Sequence, residues 1–204
     1  VADRLARSTL ARAAIRLNRQ VRSALPAILF LTDDERAAEP FAVAQTLPRG
    51  SLVIVRSARA ARRIEIATGI AAVAKRRGLA WLVANDAELA TRLGADGVHF
   101  AETRRADAYH WRACRPDWLI TCAAHSLASC AQAARFGADA VLLAPVFATR
   151  SHAAGRTLGA TKLRLMALQS PVPVYALGGI DARTSRRLAG ARLVGLAVIG
   201  AWTD

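Results

Sequence analysis

Eight short apolar runs recur along this chain, and most are separated by a stretch long enough for a helix. They cover 27–31 (Ala27-Ile28-Leu29-Phe30-Leu31), 51–55, 79–84, 97–100, 118–122, 140–143, 172–177 and 193–199. A strand that alternates polar and apolar residues covers a core on one side only. These runs are apolar throughout, as strands buried on both faces must be. Strict alternation of strand and helix implies parallel pairing with right-handed crossovers. The fold class is therefore α/β, and eight units in 204 residues form a small closed (β/α)8 TIM barrel. A doubly wound open sheet competes, but no glycine-rich dinucleotide turn follows the first run.

The intervening segments carry helix punctuation. Residues 58–77 are amphipathic and stop at Gly78, 86–93 stop at Gly94, and 126–136 open on Ser126 and stop at Gly137. A helix over 161–168 ends before Pro171, and one over 181–188 opens on Asp181. Residues 3–20 read as an arginine-rich amphipathic helix. The division is then an N-terminal helix over 1–26 and a barrel over 27–204, with the helix expected on the barrel bottom. Two echoes, Gly94-Ala95-Asp96-Gly97-Val98 and Gly137-Ala138-Asp139-Ala140-Val141, mark turns from a helix into the next strand. They fall at the barrel bottom and read as stability features.

Composition narrows the function classes. No apolar run reaches the ~18 residues needed to span a bilayer, and residues 1–7 lack a signal-peptide core, so the expected location is cytoplasmic, with no membrane partner. Cys114, Cys122 and Cys130 have no CxxC spacing and read as reduced thiols, mostly in the core. Twenty-nine basic against 15 acidic residues give a net charge of +14, which favours anionic partners. The basic residues are spread along the chain, however, and aromatics are 5%, too few for a base-stacking surface. Nucleic acid is therefore not the expected partner.

Chemistry in such a barrel sits at the C-terminal ends of the strands. After the seventh, Leu177-Gly178-Gly179-Ile180-Asp181 lets the backbone approach an oxyanion, and a helix opening at Asp181 would add free N–H groups. Gly200 after the eighth offers further amides, so Gly178, Gly179 and Gly200 form a candidate phosphate cup. A tight turn that needs glycine for geometry alone is the plainer reading. The segment 144–156 after the sixth strand is long for a barrel connection. It carries Thr149, Arg150, Ser151, His152 and Arg156, a donor set suited to a carboxylate or pyrophosphate.

The string GADAVLLAPVFATRSH, followed by LG and VPVYALGGID, resembles the thiamine phosphate synthase/TenI superfamily. Asn85-Asp86, GADGVHF, His125-Ser126 and Leu31-Thr32-Asp33 extend the likeness over most of the chain from residue 27. The resemblance implies joining an aminopyrimidine diphosphate to a thiazole phosphate with magnesium. It places the thiazole phosphate on Gly178 and Gly179 and the thiazole carboxylate on Thr149 and Ser151. It further implies Asn85 facing the diphosphate, Asp86 as magnesium ligand and Arg56 on pyrophosphate, with His125 also in a family motif.

Departures from the family pattern fall on the diphosphate half. The second magnesium carboxylate of the family is Arg104 here, the loop lysine is His152, and a serine contact is Ala123. Either Arg56 and Arg104 neutralise pyrophosphate as fixed charges, or Glu102 or Asp107 supplies the missing ligand. The expected function is thiamine phosphate synthesis with an altered diphosphate site. Its alternatives are a TenI-like thiazole tautomerase, which Pro145 opposes by standing where one branch has its histidine, and a binding or regulatory barrel without turnover. His99 reads as a core histidine and His110 as a surface one. A homo-oligomer is left open.

Overall fold

In the computed structural model, which describes residues 2–37, 39–148 and 157–202, each apolar run becomes a parallel strand. These are β1 Ile28–Leu31, β2 Leu52–Val55, β3 Ala80–Ala84, β4 Gly97–Phe100, β5 Leu119–Ala124, β6 Ala140–Leu143, β7 Val174–Leu177 and β8 Gly195–Val198. Each pairs with the next, and β8 closes on β1 with Leu29 opposite Ala197. The barrel is a closed eight-stranded one. Alternate residues serve two cores. Leu29, Leu31, Leu52, Ile54, Leu82 and Leu142 fill the interior, while Ile28, Phe30, Val53, Val55 and Val83 meet the helices outside. Burying each such side chain is worth about 1.5–3 kcal/mol, so both faces select apolar residues.

The outer ring contains α1 Ala2–Gln20, α2 Pro40–Thr46, α3 Ala60–Arg77, α4 Ala87–Leu93, α5 Asp107–Cys114, α6 Leu127–Arg135 and α7 Gly159–Gln169. The caps at Gly78 and Gly94 are left-handed, with φ of 64° and 67°. Helices α2 and α5 lie in segments with no expected helix; both are short, and α5 buries only Ala108. The segment 181–188 is a correction: it forms a 3-10 turn over Thr184–Leu188 instead of an α-helix. Asp181 Oδ1 accepts from the amides of Arg183 and Thr184, and Thr184 Oγ1 accepts from the Asp181 amide. Those local bonds compete with helical ones.

The repeated turns have a shared physical purpose. Asp96 Oδ2 accepts from the Trp81 amide at 2.8 Å, and Asp139 Oδ2 accepts from the Ile120 amide at 2.7 Å. In each, the carboxylate before one strand stitches it to its predecessor. Helix α1 packs against β8, β1 and the 3-10 turn, burying Leu10, Ala14 and Leu17. It therefore covers a flank of the barrel; only its last turn reaches the bottom, where Asn18 Nδ2 donates to Leu25 and Val194 carbonyls. Cys122 and Cys130 are buried, and burial pushes the Cys122 thiol up to about 12. Among the described residues, no helix is long and apolar enough to cross a membrane.

Candidate active site

At the C-terminal mouth of the barrel lies a cavity of about 480 Å³. Its floor is the last interior layer, Leu31, Ala84, Leu142 and Leu177, and its wall is the first residues beyond the strands. Arg56, Asn85, His125 and Gly178 line it, so four site residues named from sequence converge in one place. Asp86, Arg104, Gly179 and Gly200 are neighbours of lining residues in the chain. Thr149, Ser151 and His152 lie outside the described residues.

The β1 and β2 ends are locked together by Thr32, which is fully buried. Its Oγ1 donates to the Arg56 carbonyl and accepts from the Arg56 amide, both at 2.8 Å. Beside it, Asp33 carries two arginines. Its Oδ2 accepts from Arg36 Nη2 at 2.7 Å and also from Arg56 Nη2. Burial alone would raise the Asp33 carboxyl, but the Arg36 side chain and the Arg36 and Glu35 amides outweigh it and hold the group at about 2. Arg36 and Arg56 both line the cavity, presented by this one carboxylate.

Asn85 has a left-handed backbone, φ 56°, a conformation that asparagine tolerates better than most residues. That turn lets its amide donate to the His99 carbonyl and its Oδ1 accept from the Ala101 amide, both at 2.8 Å. The Asn85 carbonyl accepts from Arg104 Nη1 at 2.7 Å, and Arg104 is also paired with Asp107 at 2.6 Å. The next residue, Asp86, is the N-cap of α4, its Oδ1 taking the Leu89 amide at 3.0 Å. Its Oδ2 is held by Arg63 from α3, at 3.2 Å to Nε and 3.0 Å to Nη2.

Two further groups face the cavity. His99 on β4 is buried, with Nδ1 2.9 Å from Thr121 Oγ1; burial and the charge of Arg56 push its pKa down to about 4, so the ring is neutral. It is a core histidine, as expected, and also part of the wall. Glu102 Oε2 lies 2.6 Å from His125 Nδ1. The Glu102 carboxyl sits below its ordinary range because the Ser129 and His125 side chains outweigh the upward pull of burial.

At β7 the glycines have a packing reason. A Cβ on Gly178 would lie 3.0 Å from Pro145 Cα, and one on Gly179 would lie 2.6 Å from the Ala148 carbonyl oxygen. The segment after β6 is pinned there, the Val146 and Phe147 amides donating to the Leu177 and Gly178 carbonyls at 2.9 Å. Of the expected helix amides, those of Asp181, Arg183 and Thr184 are spent on the Asp181 and Thr184 side chains. Among the described residues, the Gly179 N–H meets no acceptor. A Cβ on Gly200 would meet nothing nearer than the Arg36 carbonyl at 3.5 Å.

The residues present do not fit a magnesium site. Both Asp86 oxygens are engaged, Asp107 is paired with Arg104 and Glu102 with His125. Among the described residues, no three His, Cys, Asp or Glu side chains cluster as a metal-binding group.

The family model for thiamine monophosphate synthase matches residues 28–202. The chain belongs to that family. Thiamine-phosphate synthase of Bacillus velezensis is 26% identical over 196 residues, which covers 91% of this chain and 87% of that protein. The enzyme of Lactococcus lactis subsp. cremoris MG1363 is 29% identical over 144 residues, covering 70% of this chain and 66% of its relative. In three dimensions, thiamine phosphate pyrophosphorylase from Pyrococcus furiosus superposes with a TM-score of 0.71 at 22% identity, covering 85% of each chain. In this member of the thiamine monophosphate synthase family, Arg104, expected in place of a carboxylate, binds the Asn85 carbonyl and Asp107. Arg63, Asp33 and Arg36 were not among the residues singled out from sequence as a site: Arg63 and Asp33 have partners on other elements, and Arg36 meets Asp33 within its own loop.

Proposed function

We propose that this chain joins an aminopyrimidine diphosphate to a thiazole phosphate, forming thiamine phosphate. The carrying observation is the cavity at the strand ends, where two arginines, an asparagine and a neutral histidine share one wall. In this reading the C–O bond to the diphosphate breaks first, leaving a pyrimidine-methyl cation that the thiazole nitrogen captures. Arg56 and Arg36 meet the developing negative charge of pyrophosphate, and Asp33 holds them in place beforehand. Neutral His99 and the Asn85 amide group orient the pyrimidine without adding a cation that would repel its methyl cation. Gly178 and Gly179 receive the thiazole phosphate, so the two partners are held in line.

The test is direct. Purified protein supplied with both substrates yields thiamine phosphate, detected by chromatography, and Arg56→Met lowers kcat/KM by about 100-fold through loss of a charge-assisted contact in the transition state. No product under any metal condition removes the reading.

A second reading rests on the Glu102–His125 pair. A carboxylate on Nδ1 fixes the tautomer of a histidine that could move a proton at Nε2, as thiazole tautomerisation requires. Isomerisation of the thiazole carboxylate that is lost in His125→Asn would favour it over synthesis.

A further inference from the structure

The Asn85-Asp86 turn, where the family resemblance implies a divalent cation, is held in this chain by its own guanidinium groups. Arg63 reaches across from α3 to bind Asp86 Oδ2 and also donates to the Ser57 carbonyl at 3.0 Å. Arg104 binds the adjoining Asn85 carbonyl while paired with Asp107. The Asn85-Asp86 turn is therefore braced from both sides by fixed positive charge. Asp86 already serves as a helix cap through Oδ1, and its Oδ2 takes two bonds from the Arg63 guanidinium, which stands where a cation would approach that oxygen. Arg36 and Arg56, both held by the Asp33 carboxylate, bring two guanidinium groups to the cavity wall next to that turn.

We propose that this barrel binds the diphosphate group without a divalent cation. Arg36 and Arg56 meet the anion, and Arg63 and Arg104 act as positioning residues that hold the Asn85-Asp86 turn in the metal's stead. A guanidinium suits this task because its planar fork matches phosphate oxygens in pairs and it stays charged at every physiological pH. The inference rests on the transferase reading for its ligand class, an organic or inorganic diphosphate.

Inorganic pyrophosphate is the probe, titrated calorimetrically into the full chain in EDTA and then in magnesium, with free ligand corrected for the magnesium complex. Binding in EDTA that magnesium does not strengthen is the expected result. Binding that needs magnesium, or that strengthens tenfold with it, overturns the proposal, as does no binding in either buffer. Arg56→Met is expected to weaken binding at least about tenfold, with partial rescue in Arg56→Lys. Arg12→Met, on the exposed face of α1, serves as the control for a chain of net charge +14. Equal losses in the two Met variants would mean diffuse attraction and sink the specific site. Asp86→Asn keeps the helix cap, since asparagine caps as well as aspartate, but weakens the Arg63 brace, so affinity should fall by the same factor in EDTA and in magnesium. A loss seen only in magnesium would return Asp86 to a metal role and overturn the proposal. Turnover that requires magnesium would overturn this inference and leave the transferase reading standing. Metal-free binding without product does the reverse.

Discussion

Asp33 organises the cavity wall by holding two guanidinium groups on one carboxylate that is largely covered. Its carboxyl titrates at about 2 in the folded chain against 3.8 for the unshifted group. As pH falls, the unfolded chain takes up this proton before the folded one does, so acid favours unfolding. The stabilisation is complete above pH ~4 and drains away between ~4 and ~2. Asp33→Asn is therefore expected to lower the thermal midpoint at neutral pH and to converge on the wild type near pH 2. Two melting curves that stay parallel over that interval would show that Asp33 is not the source. Arg56 and Asn85 were legible in the sequence because each stands one residue beyond an apolar run. Asp33 was legible only as part of a motif, since nothing local says that arginines 3 and 23 residues away will meet it. The Glu102–His125 and Arg63–Asp86 pairs were hidden for the same reason: each joins the ends of different units, 23 residues apart.

Among elements, the strands were readable because burial on both faces leaves continuous apolar runs, and the glycine caps set where α3 and α4 stop. The segment after β7 was misread as a helix because Asp181 has the look of an N-cap, whereas the Thr184 hydroxyl joins it in local bonds that accompany a 3-10 turn. That turn and the segment after β6 share Gly179. A left-handed φ of 63° and a Cβ position 2.7 Å from Phe147 Cβ make any side chain there doubly unfavourable. Gly179→Ala is expected to cost about 1–3 kcal/mol in chemical denaturation, whatever ligand the site takes. A loss of phosphate binding in such a variant is then mostly a loss of loop geometry. A variant as stable as the wild type would mean that the β6 segment moves aside easily, and a loss of phosphate binding in it would then report on the ligand contact itself.

At the scale of the whole molecule, α1 decides whether the chain is a barrel with an appendage or one cooperative unit. Among the described residues, the 3-10 turn Gly200–Trp202 follows β8. Helix α1 lies against β8 and β1, and Leu10, Ala14 and Leu17 join the same continuous core as Phe30 and Val198. Arg4, Arg12, Arg16 and Arg19 face outward, while Arg7 is half-buried with its Nε shielded from solvent. Leu10 is 2% exposed, so Leu10→Ala should leave a cavity in the shared core and cost about 2–5 kcal/mol. Because that core is continuous, the loss should shift a single urea transition seen equally by backbone circular dichroism and tryptophan fluorescence. A separate early transition for the helix, with the barrel midpoint unmoved, would show that α1 is an appendage and that the strands hold their barrel without it.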